Sequence, residues 1–188
     1  DALVDHLVAR RIVASVGHTV ATFEQATAAW DRGARSTTHL GNGMDPLHHR
    51  TPGVAGAALS HPTARVEMIC DGVHVDLRMA ALFAKLLGSR LIVVSDACPA
   101  AGRGDGDFML GALPVRVKGS AATLADGTLA GAVSLVDRGV ENLVGAGVDL
   151  AAALVAATRT PADLLRSAEI GRVAPGAIAR LVEVDGTT

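Results

Sequence analysis

The sequence predicts an α/β protein built on a parallel sheet, and three observations carry that expectation. Short β-branched runs recur at residues 12–16, 35–38, 65–70 and 90–95, with helical stretches between them. Each run leads into residues able to do chemistry: His18, His39, Asp71 with His74, and Asp96. Composition agrees, since 49% of residues are apolar but only 2% aromatic, which leaves Ala, Val and Leu to build the core. Strand, polar residue, helix, repeated, is the βα rhythm of a parallel sheet.

The elements follow in order. Residues 1–10 carry Leu3, Leu7 and Val8 at helical spacing. Residues 12–16 form a strand that opens into Gly17-His18. Residues 22–32 read as a helix with Phe23, Ala26 and Trp30 on one face, stopped by Gly33. The second strand, 35–38, ends in His39, and a loop rich in Gly, Pro and His runs from 41 to 53. The third strand, 65–70, leads into Asp71-Gly72-Val73-His74. An apolar helix spans 76–87 with Gly88 past its end, and the fourth strand, 90–95, terminates at Asp96. Beyond Asp96 the pattern changes. Residues 108–124 alternate around Gly111 and Gly119, which predicts small antiparallel strands. Helix returns over 129–146 and 150–165, with Thr160-Pro161 opening a further one. Residues 171–184 read as a turn at Pro175-Gly176 followed by a strand.

Several function classes are excluded. Seventeen basic against nineteen acidic side chains give a net charge of -2, so no basic field favours nucleic acid or an anionic membrane. The apolar stretch at 80–87 is interrupted by Lys85 and is far too short to span a bilayer. Residues 1–11 have no apolar region of a signal peptide. Cys70 and Cys98 are isolated from each other, which fits a reducing, cytoplasmic setting rather than a disulfide framework.

The strand ends carry the chemical expectation. In parallel α/β folds the loops at the carboxyl ends of the strands converge on one open face, and ligands bind there. His18 and His39 are 21 residues apart, His74 follows after 35 more and Asp96 after 22 more, separations that suit successive βα units. Neighbouring strands lie about 4.7–4.9 Å apart, so two strand-end imidazoles can reach one divalent ion. A carboxylate beside that ion can take a proton from an attacking water and return it to a leaving amine. Each residue also has a structural reading. A strand-end Asp often caps a helix, as Asp71 or Asp96 could, and a lone His is often a hydrogen-bonded core residue. His48 and His49 lie in a loop where solvation is the default, and His6 and His61 read as surface residues. Cys98 reads as a buried passive thiol.

The motifs Val16-Gly17-His18-Thr19, Thr38-His39-Leu40-Gly41-Asn42-Gly43-Met44, Asp71-Gly72-Val73-His74, Ser95-Asp96-Ala97 and Thr128-Leu129-Ala130-Gly131 stand in one order along nearly the whole chain. Together they resemble the successive motifs of the N-acetylglucosamine-6-phosphate deacetylases of the amidohydrolase superfamily. The ending Gly171-Arg172-Val173-Ala174-Pro175-Gly176 is shared more widely. The resemblance implies a (β/α)8 TIM-like barrel, of which this chain holds strands five to eight, with elements of a small β-sandwich domain. It divides the chain into barrel half (1–106), β insertion with the remaining barrel helices (107–170) and part of the small β domain (171–188).

The resemblance also implies roles. His18 and His39 match metal ligands, Asp96 the catalytic acid/base, and His74, beside Asp71, a substrate-contacting histidine. Asn42 and Gly43 match the pair that approaches the sugar phosphate. Arg50 matches an arginine that reaches the phosphate in a neighbouring subunit, which implies a homodimer. Leu129, Ala130 and Gly131 match a loop against the substrate. The expected cofactor is a divalent metal ion, zinc first, with iron or another divalent ion next. The family usually has Ala where this chain has Gly43, and its metal-binding glutamate comes from an earlier strand that this chain begins too late to contain. The expected reaction is hydrolysis of the acetamide of N-acetylglucosamine 6-phosphate, a phosphosugar, to acetate and glucosamine 6-phosphate. The alternatives are another amidohydrolase, dihydroorotase-like or an amino-acid deacylase, and a non-catalytic truncated α/β module.

Overall fold

The structure, a computed structural model, describes residues 2–184. Four strands, β1 (Ser15–Val16), β2 (Ser36–Thr37), β3 (Arg65–Ile69) and β4 (Leu91–Val94), pair in parallel in their chain order. The α-helices α1 (Ala2–Ala9), α2 (Phe23–Asp31), α3 (Gly53–Ser60) and α4 (Leu77–Leu87) alternate with them, as βα units require. Alternation along the strands sorts the residues by face. Ala14, Val66, Met68, Leu91 and Val93 join the core beneath the helices, so Glu67 and Ile92, which pair in register, point to the opposite face.

Local chemistry sets the helix ends. Thr22 accepts from the Gln25 amide while the Gln25 side chain accepts from the Thr22 amide, a capping box that starts α2. Asp76 caps α4 at the Arg78 amide, and Gly88 closes that helix at a φ of 54°. Trp30, 4% exposed, seats α2 on the sheet and donates its indole N–H to the Ser36 carbonyl at 3.1 Å.

After β4 a second sheet follows, antiparallel, of β5 (Gly106–Leu110), β6 (Leu113–Lys118), β7 (Ala121–Thr123) and β8 (Leu129–Ala132). It has its own small core of Val115, Val117, Ala122 and Ala130, joined by Cys98 and Ala100 from the segment that follows β4. Helices α5 (Val136–Gly145), α6 (Leu150–Ala157) and α7 (Arg159–Leu164) then return to the parallel sheet. Close approach of α5 depends on Gly139, where a Cβ would lie 2.9 Å from Val93 Cγ1. Asn142 of the same helix donates to the Cys70 carbonyl.

The structure departs from the sequence expectations at four places. Residues 53–60, where the sequence reading placed only the end of a loop at Gly53, form helix α3, whose Val54, Ala55, Ala57 and Ala58 are all buried. Residues 129–132 are strand β8 rather than the start of a helix, which begins only at Val136. His61 is buried rather than on the surface. It follows α3, accepts from the Ala64 amide and meets Asp31 at 3.3 Å. Residues 171–184 keep the expected turn, with the Ala177 amide donating to the Ala174 carbonyl, but form no strand among those described. Residues 185–188 lie outside the described residues.

Candidate active site

The site is assembled where the parallel strands end. Gly17 lets the end of β1 come against β2, because a Cβ there would lie 2.6 Å from Thr38 Cβ. The Thr38 amide donates to the Val16 carbonyl, and the hydroxyls of Ser15 and Thr38 meet at 2.7 Å. With the two strand ends so close, His18 Nε2 and His39 Nε2 face each other at 2.9 Å, the rings edge to face. Gly43 makes room for this arrangement, since a Cβ there would lie 2.6 Å from His18 Nδ1.

Among the described residues five non-glycine residues have positive φ, and three of them are His18 (45°), His39 (24°) and Asp96 (50°). Left-handed backbone costs of order 1–3 kcal/mol per residue and persists where surrounding structure enforces it, most often at functional sites. Three of the strand-end residues expected to carry chemistry are held this way, as are Arg11 and Arg166. That concentration supports a shared site more strongly than their sequence spacing does.

Asp71 and His74 form a separate, tightly tied pair. Asp71 Oδ1 accepts from the amides of Val73 and His74, and Oδ2 accepts from His74 Nδ1 at 2.7 Å. Their side chains are only 4% and 6% exposed. Burial pushes the Asp71 carboxyl up, but the His74 ring and the two amides outweigh it and hold the group below its ordinary value. The bond at Nδ1 fixes the imidazole so that Nε2 is the nitrogen free to meet a ligand. Asp71 also adds to the effect of burial on Cys70, whose thiol is pushed up to about 12 and is therefore inert.

The other expected residues are placed as follows. Asp96 sits just past β4 and is exposed. Among the described residues it hydrogen-bonds to neither histidine of the Nε2 pair. The Asn42 amide nitrogen donates to the carbonyls of His39 and Leu40 at 3.3 and 3.4 Å, so Asn42 braces the turn after β2. Arg50 is exposed in the loop before α3 and contacts the His49 ring at 2.8 Å. Leu129, Ala130 and Gly131 lie in β8, which reaches the Asp96 turn rather than the histidine pair.

One charged residue escaped the sequence reading. Glu67 lies on β3, and burial raises its carboxyl, while the Ser36 hydroxyl and the His39 ring pull it down and Asp96 pushes it up. Burial prevails, and the Glu67 carboxyl stays above its ordinary value. The available signal was a lone acidic side chain inside the otherwise apolar run of residues 66–70.

The donor set can be tested against a divalent ion. Two imidazole nitrogens bound to one tetrahedral zinc at about 2.0–2.1 Å stand roughly 3.4 Å apart. The observed 2.9 Å is within a small ring rotation of that distance. His39 Nε2, which faces His18 Nε2, is the nitrogen placed to bind, while His39 Nδ1 is buried without a hydrogen-bond partner among the described residues. No group of three His, Cys, Asp or Glu side chains converges among the described residues, so the pair supplies part of a metal site.

No family model matches the chain. A Vibrio furnissii N-acetylglucosamine-6-phosphate deacetylase is 38% identical over 181 residues, covering 95% of this chain and 45% of the relative. A shorter protein of Escherichia coli K12, provisionally named N-acetylgalactosamine-6-phosphate deacetylase, is 38% identical over 149 residues, which cover 89% of it. The chain belongs to the N-acetylglucosamine-6-phosphate deacetylase family. A Mycobacterium smegmatis member of the family, solved as an aspartate-to-alanine mutant in complex with N-acetyl-D-glucosamine-6-phosphate, matches 90% of this chain. The TM-score is 0.85 at 35% identity, and the match covers 46% of that structure. The chain spans about half the length of such full-size relatives. Among the described residues no helix is long and apolar enough to cross a membrane.

Proposed function

We propose that this chain carries part of the active site of a metal-dependent deacetylase that hydrolyses the acetamide of N-acetylglucosamine 6-phosphate to acetate and glucosamine 6-phosphate. The observation that carries this is the facing pair of His18 and His39 Nε2 atoms, at the ends of adjacent strands β1 and β2 of the parallel sheet whose fourth strand leads into Asp96. A divalent ion held by His18 and His39, zinc first and iron next, supplies Lewis acidity toward the amide carbonyl. Asp96 takes the proton of the attacking water and delivers it to the leaving amine nitrogen. His74, its Nδ1 tied to Asp71, orients the acetamido sugar through Nε2. The Asn42-Gly43 turn and Arg50 receive the phosphate, to which a guanidinium binds bidentately.

The four parallel strands in chain order, helices on one face and Glu67 on the other, support a further reading. They form strands five to eight of a (β/α)8 barrel whose interior carries Glu67. In this reading residues 107–170 add the β insertion and the last barrel helices, and 171–188 belong to a small β domain. Arg50 is exposed, and among the described residues it bonds only to His48 and His49 of its own loop, which is the support for its reaching the site of a second subunit in a homodimer. Two free cysteines support a cytoplasmic setting.

A substrate panel tests the function. The complete protein carrying this chain is assayed for acetate release from N-acetylglucosamine 6-phosphate, its galactosamine epimer and N-acetylated amino acids, and for ring opening of dihydroorotate. Preferred turnover of a 6-phosphorylated N-acetylhexosamine is expected. Faster turnover of an amino acid or of dihydroorotate would overturn the assignment.

A further inference from the structure

Strand β8 is bulged, and the bulge faces the turn that carries Asp96. Between the register pairs Ala121↔Ala132 and Thr123↔Leu129, β8 contains one residue more than β7. The extra length is absorbed at Gly131, whose φ is 84°. Past the bulge β8 gains a second partner while Ala132 stays in register with Ala121. The Ala132 amide donates to the Asp96 carbonyl at 2.9 Å, the Cys98 amide donates to the Ala132 carbonyl at 2.9 Å, and Ala97 and Ala132 form an isolated parallel bridge. The Gly102 amide continues the contact to the Val133 carbonyl at 3.2 Å. Cys98 and Ala100 are buried in the core of the antiparallel sheet, so the segment after Asp96 belongs mechanically to that sheet.

This contact requires a residue without a side chain. A Cβ on Gly131 would lie 2.8 Å from the Asp96 carbonyl oxygen and 3.2 Å from Cys98 Cβ. The first is a backbone atom of a residue already in left-handed conformation, so a side chain at 131 requires the backbone of Asp96 or of β8 to shift. We propose that Gly131 is a positioning residue for Asp96, whose missing side chain lets bulged strand β8 clamp the turn that aims the catalytic carboxylate. The antiparallel sheet is then part of the catalytic apparatus and not an appendage to it. The inference rests on Asp96 being the acid/base proposed above.

Gly127 supplies an internal control. Its φ of 87° matches that of Gly131, and it lies in the turn just before β8, but a Cβ there would meet nothing within 4 Å. The test compares Gly131→Ala with Gly127→Ala in the complete protein, reading kcat, KM and hydrogen-exchange protection of the Cys98 and Ala132 amides. Displacement of a catalytic group by about 1 Å costs on the order of 10²-fold in rate. Gly131→Ala is therefore expected to lose roughly that factor in kcat with KM little changed, and to expose both amides, while Gly127→Ala changes neither. Should Gly131→Ala not fold, Ala132→Gly loosens the same strand and is expected to lower kcat several-fold at constant KM. Wild-type kcat and full amide protection in Gly131→Ala would overturn the inference, as would an equal loss in Gly127→Ala. A wild-type protein that releases no acetate from the sugar phosphate would sink the functional reading instead, and the exchange data would still decide whether the clamp exists.

Discussion

The Asp71–His74 pair shows how local bonds decide a residue's state. Taken alone, burial would favour the protonated carboxyl, yet three donors within a four-residue turn reverse that preference. The consequence for stability follows from the sign. A carboxyl held below its ordinary value of 3.8 in the folded protein contributes stability that is present above 3.8 and is lost as pH falls through the folded value. Unfolding midpoints in urea, measured from about pH 5 down to about pH 2, are therefore expected to fall less steeply for Asp71→Asn than for the wild type below about pH 4. Parallel curves would show that the pair contributes nothing to acid sensitivity. At this scale the placement of His18, His39 and Asp96 just past parallel strands was legible in the sequence. The sequence was not legible at Glu67 or His61, because whether a single polar side chain is buried depends on elements distant in the chain: α2 supplies Asp31 to His61, and β2 supplies His39 to Glu67.

At the scale of elements, the strands and the amphipathic helices α2 and α4 were readable from their periodicity and their caps. Helix α3 was not, because Gly53–Ser60 is Gly- and Ala-rich and buries most of its surface, which leaves no polar face to mark the period. Strand β8, expected as helix, was missed for a related reason: three of the four residues of Leu129–Ala132 are Ala or Gly, and their strand state comes from pairing with β7 and with the Asp96 turn. The approach of β1 to β2 yields a direct prediction. Gly17→Ala places a Cβ 2.6 Å from Thr38 Cβ, so the two strand ends must separate and carry His18 from His39. Overpacking of this kind costs about 1–3 kcal/mol. Gly17→Ala is expected to lower the melting temperature and the bound metal per chain together, as read by calorimetry and elemental analysis. A destabilised variant with full metal content would mean that the β1–β2 contact does not position the histidines.

For the whole molecule, the parallel sheet, the antiparallel sheet and the returning helices bear on one set of strand ends. The parallel sheet supplies the histidine pair, α5 braces the strand before Asp71 through Asn142, and β8 holds the backbone of Asp96. The βα rhythm made the first of these contributions legible in the sequence. The other two depend on contacts between residues 72 positions apart in one case and 36 in the other, which no local pattern encodes. The most direct test is the turnover of N-acetylglucosamine 6-phosphate by Asp96→Asn in the complete protein, with metal content measured on the same sample. Loss of a positioned acid/base costs about 10²–10⁴-fold, so kcat is expected to fall by at least 10²-fold with metal content unchanged. Near-normal turnover by a folded, metal-loaded Asp96→Asn protein would contradict the assignment of Asp96 and of the site built around it.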